Sequence, residues 1–156
     1  MSEERPGWHR HPNGGGWVRD TASVDETAHI GPDARVSGAA RVFGAARVYG
    51  NARVSGNAWV YGNAQVYGNA EVFGNAWVSG ARHVLTVGPI GSEDQTLTLF
   101  RTEAGYGVRV GCWHPDGATL DDLTAEVQRR APDHADEYEA AMALCRVRIE
   151  EWDAQR

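Results

Sequence analysis

Lysine is absent from this sequence, cysteine is scarce, and long apolar runs are missing. All 15 basic residues are arginine, which together with the abundant alanine and glycine indicates GC-rich coding and not a chemical requirement. The two cysteines, Cys112 and Cys145, do not make a disulfide framework, so we expect free thiols in a reducing cytoplasm. No apolar run approaches the roughly 18 residues that a membrane span needs. Residues 1–16 lack an apolar core, so no signal peptide is expected.

Charge is unevenly distributed along the chain. Residues 1–16 are neutral, residues 17–84 have a net charge of +1, and residues 85–156 have a net charge of −7. An acidic C-terminal region argues against a nucleic-acid polymer as its partner. A small anionic ligand on the arginines of the central region remains compatible with this distribution.

A six-residue repeat fills the central part of the chain. Four residues after each of its first ten aliphatic positions lies an alanine, and the middle units read GNARVS, GNAWVY, GNAQVY and GNAEVF. A fixed short period of this length predicts a solenoid with valine and alanine inside. Glycine and asparagine suit its corners, where we expect the asparagines to stack as a side-chain ladder. The aliphatic positions are Val18, Val24, Ile30, Val36, Val42, Val48, Val54, Val60, Val66, Val72, Val78 and Val84.

This pattern resembles the repeats of the hexapeptide-repeat family. The GNARV motif is similar to that of small phage and bacterial repeat proteins of unassigned activity. The resemblance covers residues 17–84. It implies a left-handed triangular parallel β-helix with three hexads in each coil, here about 3.5 coils. The family includes acyltransferases and γ-type carbonic anhydrases, and the resemblance further implies a homotrimer. If the protein is an enzyme, the implied cofactor is a coenzyme A thioester.

Eighteen residues per coil place residues eighteen apart above one another, about 4.8 Å away. The outward residues then fall on three faces of the solenoid. The first face carries Trp17, Arg35, Arg53 and Glu71; the second carries Ser23, Arg41, Trp59 and Trp77; the third carries His29, Arg47, Gln65 and His83.

The second face is rich in aromatic residues, and we call Arg41, Phe43, Trp59, Tyr61 and Trp77 the aromatic face. Flat aromatic columns on the outside of a solenoid are a candidate contact surface. The alternative is that the protein covers them itself, with its C-terminal region or with the other subunits of a trimer. Arg41 above Trp59 also suits a cation–π pair.

Residues 85–156 follow a different pattern and predict a small α+β domain of three short strands and two helices. The β-rich runs are 83–90, 95–102 and 106–113, with a hairpin between the first two. With the flexible segment expected at 1–16 and the β-helix at 17–84, the chain is predicted to be mainly β.

The two predicted helices have recognisable ends. Thr119 is predicted to cap the first helix, Pro132 ends it, and Asp133 is predicted to cap the second. The second helix has an apolar stripe that must pack on the hairpin sheet or on the aromatic face. The stripe consists of Tyr138, Met142, Cys145, Ile149 and Trp152.

Catalytic candidates are weak. The acyltransferases of the family use a histidine base near a loop that projects from the coil, and no insertion interrupts the repeat between Val18 and Val78. His83 is the weak candidate for such a base, and a surface histidine at the repeat boundary is the simpler interpretation. His29 lies three coils from His83, about 14 Å away, too far to share one zinc ion with bonds of about 2.1 Å. We therefore expect no metal site and no cofactor.

Other reactive residues have simple structural explanations. Cys112 and His114 are spaced as a possible nucleophile pair, but a small buried hydrophobe is the default for Cys112. His9 and His11 could hold a metal loosely or belong to a disordered tail.

The sequence therefore favours a non-catalytic binding or scaffolding protein in the cytoplasm, which self-associates through the aromatic face. A protein partner or a small anionic ligand is a further expectation, and no membrane is implied. One alternative is an acyltransferase that uses a coenzyme A thioester. Another is a phage-encoded interaction protein that blocks a host factor or sequesters a small anionic ligand. The weak candidates for holding phosphate groups are Arg35, Arg47 and Arg53.

Overall fold

A computed structural model of the chain describes residues 5–111, 113 and 118–156, so Cys112 and His114 lie outside the described residues. Its central part is a parallel β-solenoid of short strands joined by tight turns. The first strand is β1 (Trp8–Arg10). The solenoid strands are β2 (Trp17–Arg19), β3 (Ser23–Val24), β4 (His29–Ile30), β5 (Arg35–Val36), β6 (Arg41–Val42), β7 (Arg47–Val48), β8 (Arg53–Val54), β9 (Trp59–Val60), β10 (Gln65–Val66), β11 (Glu71–Val72) and β12 (Trp77–Val78).

The strands stack on three faces, in the orders β2-β5-β8-β11, β3-β6-β9-β12 and β4-β7-β10. Each parallel pair joins residues eighteen apart, for example Arg35 with Arg53 and Trp59 with Trp77. The predicted columns are confirmed, with one exception. His83 does not join the third face. The chain leaves the repeat after β12, and His83 is the last residue of a 3-10 turn, Ala81–His83.

The inside of the solenoid holds the valines and alanines of the repeat. The valines from Val36 to Val78 and the alanines from Ala28 to Ala70 are 0% exposed, and burying a valine side chain contributes roughly 1.5–3 kcal/mol. The corners depend on backbone contacts and not on the expected asparagine ladder. The N–H of Asn51 donates to the carbonyl of Gly68, 2.9 Å away, whereas the described part of the chain has no side-chain bond between corner asparagines.

Residues 5–16 lie over the first turn of the solenoid. Strand β1 pairs antiparallel with β2. His11 is 3% exposed, and its Nε2 lies 2.9 Å from the carbonyl oxygen of Ala28. The N–H of Gly16 donates to the carbonyl of Ile30. An open solenoid end leaves backbone groups unpaired, and these contacts pair several of them.

The C-terminal region is an antiparallel sheet with two helices. Its strands are β13 (Val84–Ile90), β14 (Gln95–Arg101) and β15 (Tyr106–Val110), in that order across the sheet. The helices are α1 (Leu120–Arg130) and α2 (Ala135–Ala154).

The sequence located the start of α1 correctly and that of α2 incorrectly. Thr119 and Asp122 form a reciprocal capping box at the start of α1, as predicted for Thr119. Asp133 does not cap α2, because Pro132–His134 form a 3-10 turn and His134 takes the cap position without a side-chain bond. Proline favours the start of such a turn, and the helix start lies one residue later than predicted.

The apolar stripe of α2 packs on the antiparallel sheet and not on the aromatic face. Tyr138, Met142, Cys145 and Trp152 are buried in one cluster with the sheet, and Ile149 packs beside them. None of the helices in the described part of the chain is both long enough and apolar enough to cross a membrane.

The sheet in turn closes the last turn of the solenoid. Phe100 of β14 is 2% exposed and belongs to the solenoid core, with its ring centroid 5.1 Å from that of Phe73. The Oγ1 of Thr98 accepts a hydrogen bond from the N–H of Glu71. The C-terminal region therefore closes the end of the stack, and its residues also line clefts with side chains of the first and second faces.

Candidate functional site

The aromatic face is a continuous set of ring contacts across two columns. Phe43 and Tyr61 stack with centroids 4.9 Å apart and planes 6° from parallel. The ring centroids of Trp59 and Trp77 are 5.7 Å apart. The indole N–H of Trp77 donates a hydrogen bond to the Tyr61 hydroxyl. These contacts follow from the ladder, because residues eighteen apart are brought within stacking distance on a pleated surface. The result is a rigid patch whose side chains are ordered before any partner binds.

Arg41 completes one edge of this patch. Its guanidinium carbon lies 5.2 Å from the centroid of Trp59, as the cation–π interpretation predicted. Trp59 is 37% exposed, and Phe43, Tyr61 and Trp77 are partly buried. The helices of the C-terminal region pack on their own sheet, whereas its residues Glu103 and Tyr106 line a cleft together with Trp59 and Trp77.

A cleft of about 910 Å³ begins at the aromatic face and extends to the C-terminal sheet. Trp59 and Trp77 line its solenoid side, and Tyr106 and Glu103 line the other. Phe73 and Phe100 form part of its wall, so the cleft is apolar at its base and has one carboxylate at its rim. This cleft could not be predicted from the sequence, since its two walls come from distant parts of the chain and meet only through the packing of the C-terminal sheet.

The first face carries arginines from three parts of the chain. Arg35 and Arg53 are directly paired in the ladder. Arg5 and Arg10 lie over Trp17, 4.7 and 4.1 Å from its ring centroid. At the far end of the face Arg109 forms an ion pair with Glu71.

Arg47, the third arginine predicted to hold an anion, lies elsewhere. It is in the third face, paired with His29 and Gln65. Next to it, Tyr49 and Tyr67 stack at 5.3 Å, and Tyr67 is 52% exposed. The structure thus brings Arg35 and Arg53 together and separates both from Arg47.

His83 is held by structural contacts at the junction of the two regions. The N–H of Ser79 donates to its Nδ1 at 3.0 Å, and its ring meets Trp152 edge to face. Burial, with the nearby Arg101 and Arg156, lowers the pKa of His83. Because Nδ1 accepts a hydrogen bond, these contacts favour the neutral imidazole. The ring lies between the last solenoid turn and α2.

The remaining reactive side chains also have structural partners. The Nδ1 of His9 lies 2.8 Å from the Oδ1 of Asp20. The Nε2 of His11 is hydrogen-bonded to the carbonyl oxygen of Ala28. Burial raises the pKa of the Cys145 thiol to about 11, which keeps it protonated in the helix core. Across the described ranges no group of three or more potential metal ligands comes together.

Comparison with known proteins agrees with the architecture. A family model described as the YdcK beta solenoid repeat matches residues 46–62 and 64–80. The two matched segments are consecutive and follow the six-residue repeat, with the solenoid strands β7–β12 inside them. Comparison with curated proteins and with solved structures gave no significant match. Over these two segments the chain is similar to that β-solenoid repeat.

Proposed function

We propose that this protein is a non-catalytic β-solenoid binding module that assembles with copies of itself through the aromatic face. The observation that carries the proposal is the set of stacked rings of Phe43, Trp59, Tyr61 and Trp77 on one side of the solenoid, with Trp59 exposed. Aromatic anchors that are already rigid lose little conformational entropy on binding, and they dominate the energetics of interfaces.

The position of the C-terminal region supports the same proposal. Because that region closes the end of the solenoid and its helices pack on its own sheet, Trp59 and Arg41 stay exposed for contact with another subunit. A stable contact between two chains buries about 800 Å² on each partner. The stacked columns, with Arg41 at their edge, offer a flat, regular surface for that purpose.

The finer expectations from the hexapeptide-repeat resemblance belong to this proposal. They are a left-handed coil, a homotrimer, a cytoplasmic location and kinship with phage-type repeat proteins. The acyltransferase alternative also remains a prediction from that resemblance, and calorimetry with acetyl-coenzyme A tests it directly. His83 is the base which that alternative would require, although its contacts with Ser79 and Trp152 support a structural role.

Light scattering across a range of protein concentrations tests the assembly. We expect the wild type to have the mass of a trimer and the Trp59→Ala/Trp77→Ala variant to shift to monomer, because the variant loses the two largest rings of the face. The matched control is Tyr49→Ala/Tyr67→Ala, which removes a stacked, exposed aromatic pair from the third face and should leave the mass unchanged. A wild type that stays monomeric at every concentration would refute the proposal, as would a tryptophan variant that assembles normally.

A further inference from the structure

We propose that the first face of the solenoid binds a phosphate-bearing small molecule with at least two phosphates, held between Arg35 and Arg53. This site is separate from the aromatic face and does not depend on self-association. Its ligand class is set by the charge and spacing of the arginines that the fold brings together.

The two arginines form a like-charge pair in the parallel ladder. Arg35 and Arg53 are direct partners on β5 and β8, and both are exposed. Like charges directly opposite one another in a sheet destabilise it. Within the described part of the chain neither side chain has a hydrogen bond or an ion pair. An oxyanion between them would replace repulsion with two charge-assisted contacts, for which planar guanidinium groups are well suited.

A basic groove surrounds this pair. A cavity of about 480 Å³ lies between Arg35 and Arg53 on one side and Arg5 and Arg10 on the other. A second cavity of about 300 Å³ shares Asn51 and Arg53 with the first. The two cavities adjoin at these shared residues and together make up the groove, with Arg5 and Arg10 at one end and Arg109, Thr96 and Thr98 at the other.

The cations at the N-terminal end of the groove are held in place. Arg5 and Arg10 stack on Trp17, which is 5% exposed. Arg10 also donates to the carbonyl of Gly15 at 2.8 Å. Folding of the N-terminal segment therefore adds fixed positive charge to the same groove, and this could not be read from the repeat.

The lining of the groove favours a compact multivalent anion. It contains five arginines and two carboxylates, and one carboxylate, Glu71, is already engaged by Arg109. Successive ladder positions are about 4.8 Å apart, so neighbouring phosphates of one chain can each reach a guanidinium. Asn51 and Asn69 also line the groove, and their side chains carry amide groups that can donate hydrogen bonds.

Titration calorimetry with inorganic tripolyphosphate tests the site. At low ionic strength we expect one-to-one binding that weakens as salt is added, because exposed charges are screened. Arg53→Gln and Arg35→Gln should each weaken binding by about tenfold or more, since each removes a charged bidentate donor. Arg47→Gln is the matched control, an exposed arginine at the equivalent ladder position on the third face, and should bind like the wild type.

Three further readouts separate the explanations. The melting temperature of Arg53→Gln without ligand should equal or exceed that of the wild type, because a repulsion is removed and no partner is lost. A nucleoside triphosphate is compared with tripolyphosphate. Equal affinity would mean that the site recognises the phosphates alone, and a higher affinity of the nucleoside triphosphate would mean that the natural ligand is a nucleotide. The Trp59→Ala/Trp77→Ala variant should retain binding. The proposal would be overturned if calorimetry showed no heat of binding with either anion. It would also be overturned if Arg47→Gln weakened binding as much as Arg53→Gln.

Discussion

Glycine at the corners is the residue type on which the stacking of the turns depends. Gly56 has a φ of 65°, and a Cβ there would lie 2.8 Å from the backbone nitrogen of Gly74 in the next turn. Gly74 has a φ of 63°, but its Cβ would meet nothing within 4 Å, because no further turn covers it. The two positions therefore share the left-handed backbone and differ only in the neighbour above.

This difference gives a prediction at the scale of single residues. Gly74→Ala should lower the free energy of unfolding by roughly 1–2 kcal/mol, the cost of a left-handed conformation for an L residue. Gly56→Ala should cost clearly more, because it adds a clash with backbone that cannot rotate away. Urea denaturation midpoints measure both. Equal losses in the two variants would mean that close stacking of the corners does not limit side-chain size.

Strand β14 connects the two halves of the protein through its alternating side chains. Leu97 and Leu99 are 0% exposed and belong to the cluster that contains the helices. Phe100 points the other way and belongs to the solenoid core, and Thr98 bonds to Glu71 on that side. Because successive residues of a strand face opposite sides, one element closes the solenoid and supports α2.

Substitutions on the two sides of β14 should therefore have different local effects. Phe100→Ala should cost roughly 3–5 kcal/mol and Leu99→Ala roughly 2–5 kcal/mol, through loss of buried area and the cavity left behind. Hydrogen exchange distinguishes them. Phe100→Ala should speed exchange in the last solenoid turn, β10–β12, and Leu99→Ala should speed it in α2. Identical exchange patterns in both variants would show that the two cores open as one unit.

The whole solenoid is built from turns that are interchangeable in their interior. Deletion of residues 45–62 removes one complete turn and joins Gly44 to Asn63, so the repeat continues in phase. We expect this variant to fold, with a calorimetric enthalpy of unfolding lower by about 13 kcal/mol, in proportion to the residues removed.

The control is a deletion of residues 59–61 alone, which puts the valines out of phase and should prevent cooperative folding. Circular dichroism with thermal melting reports both outcomes. If the longer deletion fails to fold while the full chain is stable, turns of the solenoid are not equivalent.

Much of this architecture could be predicted from the sequence because one short period determines it. Val36 to Val78 and their alanines reveal the core, and residues eighteen apart reveal the columns, as Arg41 and Trp59 illustrate. Predictions were wrong where the period stops. His83 follows the period in sequence, but Arg82 stands where an inward alanine is needed, so the chain turns away.

The contacts that close the solenoid could not be predicted, since they join residues far apart in the chain. His11 looks like part of a polar tail until Ala28 is seen as its partner. Phe100 looks like the edge of a hairpin and is a core residue of the solenoid. The same holds for the proposed anion site, for which the sequence predicts Arg35 and Arg53 as candidates, while Arg5, Arg10 and Arg109 line the groove only through tertiary packing.

The two closed ends also determine what kind of assembly the molecule can form. A stack of parallel strands with bare ends would add further copies head to tail and grow into a fibre. Here β1 and His11 occupy one end, and Phe100 and Thr98 occupy the other. Under the proposed self-association, copies of this chain would therefore meet side by side, and the assembly has a fixed number of subunits where the rotation between neighbours closes.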